Sequence, residues 1–385
     1  MGVIVSYIEA GKELIRKIES NGFEAFFVGG FVRDFIMNQK CNDIDITTNA
    51  KPKDIINIFE QTYQKGIKYN SVVVVYLGYE FEVTTYRLDL DYVDNRHPII
   101  GEALSLEEDL KRRDFTINSI AMDKNNNLID YHNGLLDIEN KVIKAVGNAN
   151  LRFKEDALRM LRACYFAGKL NFKIEDKTFE AIKEDAHLIS NISSERVYAE
   201  LAKLLSSKYS LNGLKYLYES KLCSYIPKLK VGVSAYLNNS ITLNDMLLFL
   251  TTCFYDSIEE LNYYKLSNVN KKYIISLINC MKVLQTNKYT SYDLYNYGKE
   301  ICLKSNMLGS KLGLFLDSSS QIENIFDNIQ IKSDLDINIS LLEVNNILND
   351  WKKSRVLFEN IRKEIVNNNI NNTKEDIIIY INELL

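Results

Sequence analysis

Histidine and proline are scarce, with three of each among 385 residues. Six cysteines stand singly at Cys41, Cys164, Cys223, Cys253, Cys280 and Cys302, with no C-x-x-C pair among them. So few histidines cannot complete a metal cage, which disfavours structural zinc, and the scattered thiols disfavour a disulfide scaffold. Both absences point to reduced cytosol. No apolar run approaches the ~18 residues that a membrane helix needs, and no charged-then-apolar leader opens the chain, so a soluble cytoplasmic protein with no membrane partner is expected. The start MGVIVS fits a loose N-myristoylation pattern, but so short a pattern matches often by chance and reads equally well as the lead into a first helix. An excess of positive charge is also missing. Lys and Arg number 47 against 51 Asp and Glu, a formal charge of -4, so any attraction for nucleic acid must be local. Gly/Ser linkers and internal repeats are absent too, and domain limits must come from changes in periodicity.

What is present divides into two halves. The length and a 46% hydrophobic content support more than one core. Up to about residue 145 helical spacing (Ile8 to Ile18) is mixed with strand-like runs, FFVGG, DIDIT, VVVVYLGYEFEVTTYR and NNLIDYH. Leu77-Gly78 is expected to turn a hairpin between Val72–Tyr76 and Tyr79–Tyr86. From about residue 150 to Leu385 the spacing is helical, with Asn-rich loops. The fold class expected is therefore α+β, a small mixed-sheet head followed by helices. Lysines 203, 208, 215, 221, 228 and 230 face one acid, Glu219, a pattern that alone reads as a solvated helical face.

The chemistry concentrates in FFVGGFVRDFIMNQKCNDIDITTNAKP, residues 26 to 52. Gly29 and Gly30 would let backbone N–H groups approach a phosphate where a helix begins, with Arg33 reaching the same anion. Alone, a glycine pair is more often a tight turn. Asp43 and Asp45 alternate with Ile44 and Ile46 along a strand, so both carboxylates share a face. Such hard oxygen ligands suit Mg²⁺, and two ions ~4 Å apart can clamp the oxygens of phosphoryl transfer. A bare D-x-D is usually a polar strand face, but Glu82 in YEFEVTTYR can complete a carboxylate cluster.

Two basic elements follow. EEDLKRRDFTINSIAMD places Arg112 and Arg113 before an expected Asp114 cap. In RFKEDALRMLRACYF, read as one helix over residues 152 to 166, Arg152, Glu155, Asp156, Arg159 and Arg162 fall within roughly 120°, opposite Ala157, Leu158, Leu161 and Tyr165. Such a face alone reads as a salt-bridged surface. A carboxylate beside a guanidinium, however, offers an acceptor next to a donor. Cytosine and adenine present an amino donor beside a ring-nitrogen acceptor, whereas uracil and guanine present a carbonyl beside a ring N–H. Asp156 with Arg159 would accept C and A and reject U and G.

Taken together, these residues resemble class II tRNA nucleotidyltransferases, the bacterial CCA-adding enzymes, with their poly(A) polymerase relatives. The blocks GGFVRD, DIDIT, EVTTYR, DYVDNRHP, LEEDLKRRDFTINSIAMD, RFKEDALRMLRA and ISSERVYAELAKLL occur in that order. The resemblance implies a nucleotidyltransferase head at 1–145, a helical neck with a base-reading helix at 146–210, a helical body at 211–310 and a tRNA-binding tail at 311–385. It implies template-independent addition of C, C and A to the tRNA 3′ end from CTP and ATP, with pyrophosphate released. The alternatives are an A-adding enzyme acting after a separate CC-adding one, a poly(A) polymerase, or a catalytically silent RNA-binding protein. Asp43 and Asp45 would hold two Mg²⁺ ions with Glu82 as their catalytic partner. Gly30, Arg33, Arg113 and Arg162 would bind nucleotide phosphates, and Asp156 with Arg159 would form the protein template. Asp91 to Pro98 is similar to the flexible loop of enzymes that add the terminal A. In two places the chain departs from the family: Tyr165 stands where an arginine is usual, and the glycine-rich tail pattern is missing from NNNINNTKEDIIIYINEL.

Overall fold

The apolar stripe beginning at Ile8 forms α1 (Tyr7–Glu19), which starts where the Ser6 hydroxyl accepts the Glu9 N–H and buries Ala10, Leu14, Ile15 and Ile18. A computed structural model describes residues 6–40, 43–63, 70–93, 97–103, 105–286 and 289–384, with backbone alone for 88–93 and 97–102. The chain divides into two units, Met1–Val233 and Ser234–Leu385.

In the first unit, β1 (Ala25–Val28), α2 (Gly30–Ile36), β2 (Asp45–Thr48), α3 (Pro52–Ile58), β3 (Thr62–Tyr63), β4 (Ser71–Tyr76) and β5 (Tyr79–Thr85) follow α1. After these come β6 (Arg87–Val93), β7 (His97–Glu102), α4 (Leu106–Lys111), β8 (Ile120–Met122) and β9 (Leu128–Asp130). Seven strands make one mixed sheet in the order β3-β4-β5-β2-β1-β8-β9. Only β2 and β5 run parallel; β1 joins β2 and β8 antiparallel. Phe27, Ile46, Val72, Val74, Phe81 and Val83 fill the sheet's core at 4% exposure or less. The Leu77-Gly78 hairpin forms as expected: both residues take positive φ (50° and 85°), the twist that suits a two-residue turn, and Tyr76 faces Tyr79. Of the loop-like stretch Asp91 to Pro98, residues 94–96 lie outside the described residues; on either side β6 and β7 form an antiparallel ribbon.

Next come α5 (Gly134–Glu139), β10 (Val142–Ile143), α6 (Ala149–Glu155), α7 (Leu158–Leu170), β11 (Lys173–Ile174), α8 (Asp176–Asp185), α9 (Ser194–Leu205) and α10 (Ser210–Glu219). The two-residue β11 pairs in parallel with β10, and the rest of this region is helical. α7 packs on α9 and α10 through its nearly continuous buried surface. The single helix expected over 152–166 is instead two. Asp156 is extended (φ −145°, ψ 100°), and its carboxylate accepts the Leu158 N–H at 3.1 Å, starting α7 afresh. An aspartate competes with helix backbone in this way, and a helical wheel cannot register it.

The second unit is helical among its described residues. Helices Asn268–Gln285 and Lys299–Lys311 enclose Leu277, Met281 and Leu308, while Ile361, Ile365, Ile377 and Ile381 centre a further core. No helix among the described residues is long and apolar enough to cross a membrane.

Candidate active site

Strand β1 delivers the chain to a turn at Gly29 (φ 73°, ψ −138°), from which α2 departs. Beside that turn, β2 begins at Asp45 in register with Val28. The strand expected through Asp43 starts two residues late, because the Ile44 N–H is taken by the Tyr7 hydroxyl (3.2 Å). The alternation survives: Ile44 and Ile46 are buried, Asp43 and Asp45 exposed. Across the parallel pair Asp45 stands opposite Glu82, whose carboxylate accepts the Ser71 hydroxyl at 2.9 Å. Asp45 and Glu82 thus face each other across the pair, with Asp43 just ahead of the start of β2. Desolvation in the cleft, then the Glu82 charge, push the Asp45 carboxyl above its ordinary value, against the lowering pull of Arg113.

A cavity of about 590 Å³ opens at the turn, lined by Gly29, Gly30, Arg33, Asp43, Asp45, Arg113, Arg162, Tyr165, Lys169 and Lys203 among others. Asp45 and Arg113 also line an adjoining cavity of about 390 Å³ with Glu82, Ser71, Arg87 and Arg112. Arg33, Arg113, Arg162, Lys169 and Lys203 in the wall are each paired with a carboxylate. Arg33 is 2% exposed; it donates to Asp34 at 2.8 and 2.6 Å and to the Asn118 side-chain carbonyl at 2.5 Å, and lies over the Phe166 ring. Arg162 donates twice to Asp114 (2.9 and 2.7 Å). Burial pulls the Asp114 carboxyl up, but the Arg162 charge and the Asn118 and Arg162 hydrogen bonds outweigh it and hold it below the usual range. Arg113 binds Asp109 at 3.3 Å, and its Nε is buried with no hydrogen-bond partner among the described residues. The arrangement puts acids and restrained guanidinium groups in the wall of one cavity, a combination that suits a metal-bound polyphosphate.

The Poly A polymerase head domain model matches residues 25–144, a "Probable RNA and SrmB- binding site of polymerase A" residues 171–231, and tRNA nucleotidyltransferase domain 2 residues 242–381. A CCA-adding enzyme of Ligilactobacillus salivarius is 37% identical, over 97% of this chain and 95% of its own length. The chain belongs to the CCA-adding enzyme family. A Streptococcus uberis CCA-adding enzyme is 35% identical over 96% of this chain and 94% of its own. The crystal structure of the Bacillus stearothermophilus CCA-adding enzyme in complex with CTP superposes with a TM-score of 0.82 at 29% identity, covering 98% of this chain and 97% of that one.

In this CCA-adding family member the structure brings Gly30, Arg33, Asp43, Asp45, Arg113 and Arg162 into one cavity, with Glu82 in the adjoining one. Asp156 and Arg159 line neither cavity; the Arg159 N–H donates to the Asp156 carbonyl at 3.0 Å, and their side chains bind other residues. Arg196 holds Asp156 with bonds of 3.2 and 2.8 Å, while Arg159 donates to Glu155 (2.7 Å) and to the Arg112 carbonyl (2.9 Å). Arg196 lies 40 residues beyond Asp156, inside the block ISSERVYAELAKLL, which had no residue-level role. Asn118 and Lys169 were likewise missed, and Lys203 was read only as one of a run of lysines; proximity in space places all three in the cavity wall.

Proposed function

We propose that the protein adds C, C and A to the 3′ end of tRNA from CTP and ATP, with release of pyrophosphate. One observation carries the reading: the exposed carboxylates Asp43 and Asp45 share a cavity with the Gly29–Gly30 turn and the cation wall. The names of relatives at 33–37% identity over nearly the whole chain support full CCA addition over A addition alone.

The 3′-hydroxyl oxygen of the tRNA bonds to the α-phosphorus, and the bond to the bridging oxygen of the leaving pyrophosphate breaks. Arg113 and Arg162 stabilise the negative charge that develops, while Gly30 and Arg33 hold the phosphates. Asp43 and Asp45 fit Mg²⁺, which takes one or two carboxylates along with substrate phosphates rather than a closed protein cage. No group of three or more ligating side chains forms such a cage among the described residues, and the desolvation and the Glu82 charge that raise Asp45 are both offset by a bound cation. Two ions bound there would lower the hydroxyl's pKa and neutralise triphosphate charge. Asp156 and Arg159 read the base edge. Of roughly four lone-pair positions on a carboxylate, Arg196 occupies two on Asp156 and the Leu158 N–H one, which leaves one for an exocyclic amino donor. Lysines 208, 215, 221, 228 and 230 supply local charge for the tRNA backbone.

The test is incubation with Mg²⁺, tRNA ends lacking one, two or all three nucleotides, and each labelled nucleotide in turn. Extension of tRNA lacking all three is expected; an A-adding enzyme leaves it untouched. Asp43→Ala or Asp45→Ala should abolish incorporation with tRNA binding nearly intact, and robust turnover by either variant refutes the site.

A further inference from the structure

Lys203 lies on α9 in the run of basic residues that the sequence presents as one solvated face, yet its surroundings set it apart. It lines the cavity that holds Asp43 and Asp45. Its side chain is 53% exposed, against 2% for Arg33, 18% for Arg113, 31% for Arg162 and 33% for Lys169, the other ion-paired cations of that wall. Its partner is unusual too. Glu200, one turn earlier on α9, has a side chain only 3% exposed. Its Oε2 lies 3.1 Å from the Lys203 ammonium, while its buried Oε1 has no hydrogen-bond partner among the described residues and lies 3.8 Å from the Arg162 guanidinium. A buried carboxylate is costly unless paired; here it draws two cations together in the wall of the cavity that also holds the acids. Lys215, by contrast, is 64% exposed and lies 3.8 Å from Glu219, as a surface lysine does.

We propose that Lys203 binds the triphosphate of the incoming nucleotide, with Glu200 as the residue that positions it beside Arg162. This rests on the nucleotidyltransferase reading above. An anion of three or four charges, bound through a cation near the acids, would meet in the same cavity an ammonium of Lys203 more accessible than that of Lys169, and a lysine can trade part of its ion pair for phosphate without a change of fold. Because the triphosphate is common to CTP and ATP, the contact serves both.

Lys203→Ala is expected to raise KM for CTP and for ATP by the same factor, about tenfold, with a smaller change in kcat, and to weaken equilibrium binding of CTP to the same degree. Lys203→Arg should stay within about threefold of the parent. The affinity for tRNA and its salt dependence should not move. Since Lys203→Ala also strands the Glu200 carboxylate, the double variant Glu200→Gln/Lys203→Met removes both charges at once; it should fold and still show the raised KM. Unchanged nucleotide KM and CTP binding in the double variant overturns the proposal, as does a loss confined to tRNA affinity. If the wild-type protein incorporates neither nucleotide, the functional reading itself fails; incorporation by wild type with an unmoved KM in the variants defeats Lys203 alone.

Discussion

Two adjacent glycines at the active-site turn should respond in opposite ways to one methyl group. Gly29 holds φ 73° and ψ −138°, a region nearly closed to other residues; keeping alanine there costs on the order of 1–3 kcal/mol. The new Cβ would lie 3.2 Å from the Arg113 Nη1 and 3.6 Å from the Asp45 Oδ2. The guanidinium is the end of a flexible side chain and gives way, so the contact adds little to the stability cost but moves the group proposed to bind phosphate. Gly30, the first residue of α2, has no positive φ, and a Cβ there would meet only the Arg33 Nη2 at an ordinary 3.6 Å. Gly30→Ala should therefore gain about 0.4–1 kcal/mol by restricting the unfolded chain. For a unit of this size each kcal/mol moves Tm by roughly 2–4 °C. Calorimetry or circular dichroism is the assay, because the sole tryptophan, Trp351, belongs to the other unit and is blind to this transition. Gly29→Ala should melt lower and lose most incorporation activity; Gly30→Ala should melt slightly higher while its nucleotide KM rises. Stability of Gly29→Ala within about 0.5 kcal/mol of the parent, or equal losses in both variants, would refute the reasoning.

Asp114→Asn should cost about 3 kcal/mol by removing the closer of the two carboxylates that pair with the Arg162 guanidinium. The folded-state pKa of Asp114 lies below the ordinary 3.8, so its contribution is complete above that value and disappears as pH falls through the folded pKa. Urea midpoints of the two proteins should differ by a constant amount near neutrality and converge below pH 3.8; a gap that is the same at all pH values contradicts this. Arg196→Ala should free the Asp156 carboxylate to swing and so relax base choice, raising UTP and GTP incorporation relative to CTP and ATP by about tenfold. Unaltered nucleotide choice would count against Arg196 as its support.

How far the sequence could be read depended on range. Alternation along Asp43-Ile44-Asp45 and the turn at Leu77-Gly78 are local, and both were legible. The partnership of Asp45 with Glu82 followed from composition as an acid on a later strand, but its parallel register is a property of the assembled sheet. The break at Asp156 escaped the periodicity because the residue is stabilised by Arg196, far along the chain, and by the Leu158 N–H that its carboxylate accepts. Arg33 was expected to reach an anion; it lies in the cavity wall, but almost fully buried and tied to Asp34 and Asn118, because a charge so deep must be balanced where it stands. Lys203 was indistinguishable from its neighbouring lysines until α9 had a direction.

The pairing of β2 with β5 has a consequence for how the acids at its head are spaced. Their separation is a rung of the sheet, about 4.8 Å, and no side chain elsewhere can retune it. The chain between the two strands, α3 and the hairpin included, is free to drift so long as Thr47 still meets Thr84. A slip of a single residue would turn Glu82 to the far face and present a phenylalanine or a valine in its stead, so a frameshift in the hydrogen-bond ladder would silence the enzyme with every catalytic residue still encoded.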